Sequence, residues 1–338
     1  MTHLLRKPKT KLKMLMFLTF LLLTAAVFSL AVGQHFVSLT SVYRALFSFD
    51  QQSTRHIIVR STRLSRTVIA LAAGGSLAVA GALMQALTGN PLAAPGIFGL
   101  NSGAVFLLVI AATLFGVTSM EISIWLAFFG SMLAGLLVYF IASLGRSGLS
   151  SLKMILAGAA VTALFHSFTQ GLLVINQESL ESVLFWLSGS TAGRDLEMIM
   201  PLLPFILGAI ILALFLAKDI NVLLIGEEMA AGLGQKTIII KLLLGLSIVI
   251  LAGSSVAAAG AISFIGLVVP HISRFFVGNN YHWLIIYSFI IGAGLLLIAD
   301  IVARIIIMPQ EVPIGVMTAF MGAPLFVYIV RRGFKVNA

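Results

Sequence analysis

The chain has 338 residues, of which 60% are hydrophobic and 9% are charged, and it carries 21 Lys and Arg against 11 Asp and Glu. Soluble domains have about 25% charged residues, so this composition excludes a soluble globular protein and predicts a polytopic membrane protein. No cysteine is present, which excludes disulfides, thiolate metal sites and cysteine nucleophiles. We attribute the formal charge of +10 to basic residues that flank membrane spans, and not to nucleic-acid binding.

Apolar stretches long enough to cross a bilayer recur along the chain, separated by charged residues or by Gly and Pro. The first follows a basic segment of the kind that begins signal peptides. Since it is as long as a full span and no clear small-residue cleavage site follows, we expect a retained helix. The sequence therefore predicts an all-α polytopic protein with a single transmembrane domain over residues 1–338. Its ten predicted spans are 13–33, 64–87, 96–116, 121–143, 152–175, 198–217, 237–259, 261–275, 283–306 and 313–330. The eighth is short and contains Pro270, which predicts a broken helix or a re-entrant segment.

Basic residues are distributed unevenly between the two sides of this predicted topology. With a cytoplasmic N-terminus, 14 of the 21 Lys and Arg residues lie on the inside and 7 on the outside. Positive residues concentrate in cytoplasmic loops, so the bias predicts that both termini are cytoplasmic. Five of the seven outside residues are arginines at or near the connection between spans 1 and 2.

The connection between spans 2 and 3, within Gly81–Ala104, is rich in Gly and Pro and has no charged residue. Asn90-Pro91 and Pro95-Gly96 end one helix and allow another to begin. Irregular backbone without charge survives at membrane depth where it packs against protein or lines a cavity. A tight membrane hairpin is the alternative interpretation.

Small residues of span 2 recur 179 residues later, at the end of span 7 and in span 8. The recurring residues are Gly74, Ala78, Ala80, Gly81, Ala82 and Pro91, matched by Gly253, Ala257, Ala259, Gly260, Ala261 and Pro270. Spans 2 and 7 run in opposite senses in the predicted topology, so this pattern predicts an inverted repeat with halves at about 60–175 and 237–331. Chance recurrence of small residues where membrane helices approach closely is the alternative.

Short motifs follow one another in order between residues 60 and 332. They are Arg63-Leu64-Ser65-Arg66, Gly81-Ala82-x-x-Gln85, Asn90-Pro91-Leu92-Ala93-x-Pro95-x-x-x-Gly99, Leu156-Ala157-Gly158, Phe185-Trp186-Leu187-x-Gly189-Ser190, Gly226-Glu227-Glu228-x-Ala230-x-x-Leu233-Gly234, Gly260-x-Ile262-x-Phe264-Ile265-Gly266-Leu267-x-x-Pro270-His271, Asp300-x-x-x-Arg304 and Glu311-x-Pro313-x-Gly315-x-x-Thr318-Ala319-x-x-Gly322-Ala323-Pro324. Together they resemble the FecCD-type permeases, the membrane subunits of type II ATP-binding-cassette (ABC) importers for ferric siderophores, haem and cobalamin. Ser65 stands where the family often has proline.

The resemblance implies a transport subunit of the bacterial cytoplasmic membrane that performs no covalent chemistry. It implies three kinds of partner: cytoplasmic ATP-binding subunits, an extracytoplasmic solute-binding protein and a second permease subunit, identical or paralogous. ATP and Mg would be bound by the partner ATPase, and this chain would bind neither a cofactor nor a metal. Its own Gly234-Gln235-Lys236-Thr237 lacks the glycine that precedes lysine in a phosphate loop. The expected cargo is a ferric siderophore, with haem or cobalamin as alternatives.

The cytoplasmic segment 224–236 joins spans 6 and 7. Its two acids and its glycines predict a short surface helix that ends near Gly234. The resemblance implies that this segment is the coupling helix seated on the ATPase; a solvated loop is the alternative. The residues assigned to this contact are Gly226, Glu227, Glu228, Ala230, Leu233 and Gly234.

Arg60, Arg63 and Arg66 form a basic edge at the predicted outer mouth of span 2. Such an edge attracts acidic residues of a partner protein, or anchors to lipid headgroups. The resemblance favours docking of the binding protein for Arg63 and Arg66, with Arg304 as a third contact. Arg304 also lies four residues after Asp300 on one helix face, a spacing that predicts a structural ion pair.

Polar residues on span 5 point to a water-filled path or to another protein surface. Thr162, His166 and Gln170 share one helix face, and the resemblance implies that this span lines the translocation pathway. A packed histidine is the alternative for His166, which has no second ligand at metal-binding spacing beside it. Gln85 and the inner-gate candidates Ser150 and Ser151 complete the predicted pathway set.

Two other functions are alternatives to an importer subunit. An inverted repeat suits an ion-coupled secondary transporter, but Asp300 is the one acid well inside a predicted span and has an arginine nearby. A membrane-embedded hydrolase would need a His-Glu-x-x-His motif, or a serine or aspartate constellation with a plausible partner. The sequence has neither.

Overall fold

A computed structural model of the chain describes residues 5, 7–117, 119–144, 150–175, 186 and 188–331. Among these residues all regular secondary structure is helical, and no residue forms a strand. The helices are α1 (Pro8–Ala31), α2 (Leu39–Phe47), α3 (Thr54–Ile57), α4 (Leu64–Thr88), α5 (Leu100–Phe115), α6 (Met120–Ser143), α7 (Ser151–Ile175), α8 (Leu196–Ile199), α9 (Leu203–Phe215), α10 (Ala217–Leu223), α11 (Glu227–Gly232), α12 (Thr237–Ala259), α13 (Ile265–Val277), α14 (Tyr281–Ile305) and α15 (Ile314–Arg331). A π-helical turn, Ile58–Arg63, joins α3 to α4, and 3-10 turns form at Pro95–Phe98 and Met200–Leu202.

The all-α polytopic prediction is confirmed. Seven helices within the described ranges are long and apolar enough to cross a membrane, and three shorter apolar helices, α5, α13 and α15, complete the ten predicted segments. The third and eighth spans begin several residues later than predicted, because irregular backbone precedes α5 and α13. Pro270 lies inside a continuous α13. The predicted interruption is therefore displaced to the segment before that helix.

Helix α4 forms the centre of the molecule, packed against α12, α13 and α14. Its Gly and Ala residues let neighbouring backbones approach closely, as is typical of membrane helix interfaces. A Cβ added to Gly81 would lie 1.8 Å from the carbonyl oxygen of Gly266, and one added to Gly74 would lie 2.4 Å from that of Gly292. Glycine is therefore required at both crossings.

The two predicted repeat halves contain matching helix breaks. Gly89 (φ +61°) follows the last residue of α4, and a connection that is irregular apart from one 3-10 turn runs to Gly99 before α5 begins. Helix α12 ends at Gly260, and Phe264 precedes α13 with φ +67°, the one positive φ among the described non-glycine residues. Such strain persists only where the surrounding packing imposes it.

Helices α4 and α12 cross in opposite directions. The Ser255 hydroxyl donates to the Ala73 carbonyl (3.2 Å), while Leu77, later in α4, shares a cavity of about 130 Å³ with Ala252, earlier in α12. Both irregular segments line this cavity. In addition, α4 packs on α13 while α12 packs on α5. This exchange between halves is the arrangement that an inverted repeat produces.

Candidate functional site

Residues 224–236, here called the coupling segment after the role that the resemblance implies, contain the short surface helix that the sequence predicts. Helix α11 covers Glu227–Gly232, and Gly234 takes the left-handed conformation (φ +83°) that ends it. Glu227 Oε2 accepts a charged hydrogen bond from Lys241 Nζ of α12 at 2.6 Å. Gln235 Nε2 donates to the Asp219 carbonyl of α10 at 2.9 Å. The segment is thus braced against the helices on both sides of it.

The residues assigned to the coupling contact divide into an outer and an inner set. The exposed members are Glu227, Glu228, Leu233 and Gly234, and Leu233 is 72% exposed. Met229, which was not predicted, is exposed beside them. Ala230 is fully buried, which corrects its assignment to the partner surface. Because Glu227 is paired with Lys241, Glu228 is the acid of this helix that faces outward without that pairing. The exposed face combines two carboxylates, one of them paired with Lys241, with large apolar side chains.

A buried charge network, here called the Asp300 cluster, consists of Arg66, Thr191, Asp300, Arg304 and Glu311. The predicted ion pair between Asp300 and Arg304 is present, and Asp300 is completely buried. Asp300 Oδ1 also accepts from Arg66 Nη2 (2.9 Å) and from the Thr191 hydroxyl (2.6 Å). Arg66 Nη1 in turn donates to Glu311 Oε2 at 2.6 Å. Two arginines therefore balance two carboxylates, which keeps charge in the protein interior tolerable.

Three of the four predicted docking arginines are buried. Arg66 and Arg304 belong to the Asp300 cluster, and Arg304 Nη1 also donates to the Ser29 carbonyl at 3.1 Å. Arg63 donates to the carbonyls of Leu30 (2.9 Å), Ala31 (2.7 Å) and His35. These oxygens lie at and just beyond the end of α1, where carbonyls lack helical partners.

This burial corrects the expectation that these arginines form an exposed basic edge. Their donors are used to fix α1, α4 and α14 to one another. Arg60 keeps an exposed side chain, with its guanidinium carbon 4.8 Å from the centroid of the Phe49 ring. Direct docking through Arg63, Arg66 or Arg304 would require these internal bonds to be exchanged, and Arg60 is the accessible member of the set.

The predicted pathway residues lie in two different environments. His166 and Gln170 are exposed on one face of α7, and Thr162 is partly buried beside Gly99. Gln85 is buried: its amide oxygen accepts from Arg274 Nη1 at 2.5 Å, and its amide nitrogen lies 3.4 Å from the Leu267 carbonyl. Gln85 is thus a packing residue between α4 and α13, which corrects its assignment to an open pathway.

Ser150 is exposed, and its hydroxyl accepts from the Lys153 amide at 3.3 Å near the start of α7. The Ser151 side chain lies outside the described part of the structure. The described part also leaves out four residues that entered the charge count, Arg6, Arg146, Arg332 and Lys335, and two residues of one motif, Phe185 and Leu187.

Several residues of these networks were not selected from the sequence. Tyr281 accepts from Arg274 (3.1 Å) and donates to the Ala82 carbonyl (3.2 Å), which extends the Gln85 contact to α14. Lys241 resembles an ordinary flanking lysine in the sequence and becomes significant only through Glu227, 14 residues away.

Arg194 was counted only as an outside charge, yet it is buried before α8. Its guanidinium carbon lies 4.2 Å from the Trp186 ring centroid, and Nη1 donates to the Ala257 carbonyl of α12 at 2.6 Å. Burial lowers the pKa of Arg194 to about 9, so the group remains charged at neutral pH. This contact fixes the connection that precedes α8 to the end of α12.

Among the described residues, no three His, Asp or Glu side chains come together as a metal site.

A sequence model of the FecCD transport family matches residues 21–332. The chain is 49% identical over 330 residues to a Bacillus subtilis (strain 168) protein named "Probable siderophore transport system permease protein YfiZ", a match that covers 98% of this chain and 99% of that protein. It is 41% identical over 328 residues to the Fe(3+)-citrate import system permease protein YfmD of the same strain, which covers 97% of both chains. A solved structure described as "An inward-facing conformation of a putative metal-chelate type ABC transporter" matches with a TM-score of 0.81 and 32% identity, over 95% of this chain and 99% of that one.

Proposed function

This chain belongs to the FecCD transport family, and we propose that it is the permease subunit of an ABC importer that carries a ferric siderophore across the bacterial cytoplasmic membrane. Relatives matched over nearly their whole length bear names of siderophore and ferric citrate transport, which supports an iron chelate as the cargo. Haem and cobalamin are the alternative cargoes. In this function the chain provides a path for the cargo and performs no covalent chemistry.

The family match carries the ABC assignment, and the coupling segment is the feature of the fold that suits contact with an ATPase. A partner ATPase would contact the exposed face that contains Glu228, Met229 and Leu233. A displacement of α11 would reach α12 through Glu227 and Lys241, and α10 through Gln235. Since α12 packs on α4 and α5, motion of the segment would be delivered to both irregular connections beside the central cavity.

We assign the cargo pathway to the exposed polar face of α7, where it would meet a second permease subunit, identical or paralogous. His166 and Gln170 offer hydrogen-bond donors and acceptors on this face without a cluster of metal ligands. That chemistry suits a chelate whose iron is already ligated, because the protein needs to contact only the chelator. Alternating access at the dimer interface would then move the chelate.

The remaining partners are a pair of cytoplasmic ATP-binding subunits, which would bind ATP and Mg, and an extracytoplasmic solute-binding protein. We propose cytoplasmic termini, which place α11 on the side of the ATPase. Arg60 is then on the opposite side and can attract acidic residues of the binding protein. Arg63, Arg66 and Arg304 would support that surface from within the fold.

The test is ATP hydrolysis by the reconstituted complex, with and without binding protein, over a panel of iron chelates. We expect one loaded binding protein to stimulate hydrolysis and Glu228→Arg/Leu233→Asp to abolish that stimulation. Glu121→Arg is the matched control, because Glu121 is also an exposed acid but begins α6, away from the coupling segment.

The competing function, an ion-coupled secondary transporter, predicts a different result for the same protein. Uptake that proceeds without any ATPase and follows a proton or sodium gradient would overturn the proposal. The Asp300 cluster argues against such ion coupling, because Asp300 is paired with two arginines and has no exposed surface.

A further inference from the structure

Helix α2 has three distinct faces. One face is packed into the protein through Val42 and Ala45. A polar face, centred on Thr40 and Arg44, is exposed. Between them lies an exposed apolar face formed by Leu39, Tyr43, Leu46 and Phe47, with Tyr43 63% and Phe47 73% exposed. Residues three and four apart share one side of a helix, so these four side chains form a single stripe.

The position of α2 relative to α1 places it at the membrane surface. Helix α1 has 24 residues and is about 36 Å long, slightly more than the hydrocarbon core of a bilayer. Much of α1 is exposed and apolar, up to Val27 and Phe28. Its final residues, Leu30 and Ala31, pack in one small cluster with the buried face of α2. The apolar stripe of α2 therefore lies where a lipid-facing span reaches the interface.

The charged residues around α2 match this location. Arg44, Arg55 and Arg60 are exposed, against one exposed acid, Asp50, in the connection between α1 and α4. The Arg60 guanidinium lies over the Phe49 ring. Arginines that extend from apolar surface toward phosphate, and aromatic side chains at headgroup level, are typical of membrane interfaces.

We propose that α2 is an interfacial helix whose apolar stripe inserts into the leaflet at which α1 ends, while Arg44 and Arg55 bind lipid phosphate groups. The stripe is continuous with a lipid-facing span, and its neighbouring charge is positive, so lipid is the occupant that fits both features. This assignment does not depend on the cargo or on an ATPase.

Because the natural chain has no cysteine, single introduced cysteines give one labelling site each. We would label Leu39→Cys and Tyr43→Cys, with Arg44→Cys as the control on the polar face, using an environment-sensitive fluorophore. Each labelled protein is reconstituted in phosphatidylcholine vesicles that contain nitroxide-labelled lipid or are exposed to aqueous iodide. We expect nitroxide lipid to quench the labels at 39 and 43 several-fold more than iodide does, and the reverse at 44.

Equal access of iodide to all three sites would overturn the proposal, as would shielding at 39 and 43 that requires an added binding protein. The phosphate contacts are tested with Tyr43→Cys in vesicles of increasing phosphatidylglycerol content. We expect a growing blue shift of the emission, which Arg44→Gln/Arg55→Gln removes. An identical shift in this double variant, when both proteins elute alike in gel filtration, would contradict the role of these two arginines.

Discussion

Replacing Asp300 with asparagine removes one negative charge from the Asp300 cluster and keeps an oxygen acceptor at the same position. The Thr191 hydroxyl, 2.6 Å from Asp300 Oδ1, can still donate to the amide oxygen. Arg304, however, loses its carboxylate and keeps only carbonyl and hydroxyl acceptors near the end of α1. Arg66 retains Glu311, whose side chain is 28% exposed. The substitution therefore leaves one uncompensated positive charge in a buried site.

Removal of one partner from a buried ion pair costs about 3–5 kcal/mol, because the other charge stays buried without compensation. We expect the loss of stability in Asp300→Asn to fall within this range, since the Asp300 and Arg304 side chains are both nearly inaccessible to solvent. At about 2 °C per kcal/mol for a long chain, the unfolding temperature should fall by about 6–10 °C.

The assay is thermal unfolding of the detergent-solubilised protein at one fixed lipid and detergent concentration. The control is Asp300→Asn/Arg304→Gln, which restores charge balance because Arg66 remains paired with Glu311. We expect this double variant to unfold at a higher temperature than Asp300→Asn alone. An unchanged unfolding temperature for Asp300→Asn, or a double variant less stable than the single one, would refute the charge-balance argument.

Three further predictions follow from other contacts. Lys241→Met removes the ion pair with Glu227 that holds α11 against α12, so reconstituted complexes should keep ATP hydrolysis but lose chelate uptake. Proportional loss of both activities would show that this ion pair does not transmit motion. Gly81→Ala forces a Cβ against the Gly266 carbonyl and should cost about 1–3 kcal/mol or more in thermal unfolding. Gly208→Ala is the control: no atom lies near its added Cβ, so it should be neutral or stabilise by up to about 1 kcal/mol. Equal effects of the Gly81 and Gly208 substitutions would contradict the close approach of Gly81 to Gly266. Glu311→Gln removes a carboxylate whose side chain is 28% exposed, so it should cost less stability than Asp300→Asn; an equal loss would place Glu311 deeper than the structure does.

Composition and apolar periodicity were sufficient to predict the helical membrane fold and its ten segments. The starts of α5 and α13 were predicted too early, because the preceding irregular backbone depends on tertiary packing. Gly81 of α4 contacts Gly266 of α13, and this contact lies far beyond any local sequence window. The apolar residues that precede α5 and α13 are compatible with a helix, so the local pattern alone predicts longer spans there.

The Asp300 cluster shows the same division between local and distant information. The spacing of four residues predicts the pair of Asp300 with Arg304. Arg66, 234 residues before Asp300, could not be assigned to that pair without the fold. Burial of Arg63 was missed for a related reason: its acceptors are backbone carbonyls at the end of α1, which have no side-chain signature.

Helix α2 was not predicted, although its sequence contains usable signals. The Ser38 hydroxyl caps the helix by accepting from the Ser41 amide at 3.3 Å. Apolar residues recur at helical spacing from Leu39 to Phe47. A search restricted to segments of membrane-spanning length excludes a helix of nine residues.

Iron-chelate uptake into proteoliposomes that contain the permease, its ATP-binding partner and the binding protein tests whether this chain is an importer subunit. We expect uptake of a ferric siderophore that requires ATP on the side of α11 and stops in Glu228→Arg/Leu233→Asp. Uptake that continues without ATP and follows an ion gradient, or a complex that imports no iron chelate while hydrolysing ATP with another cargo, would contradict it.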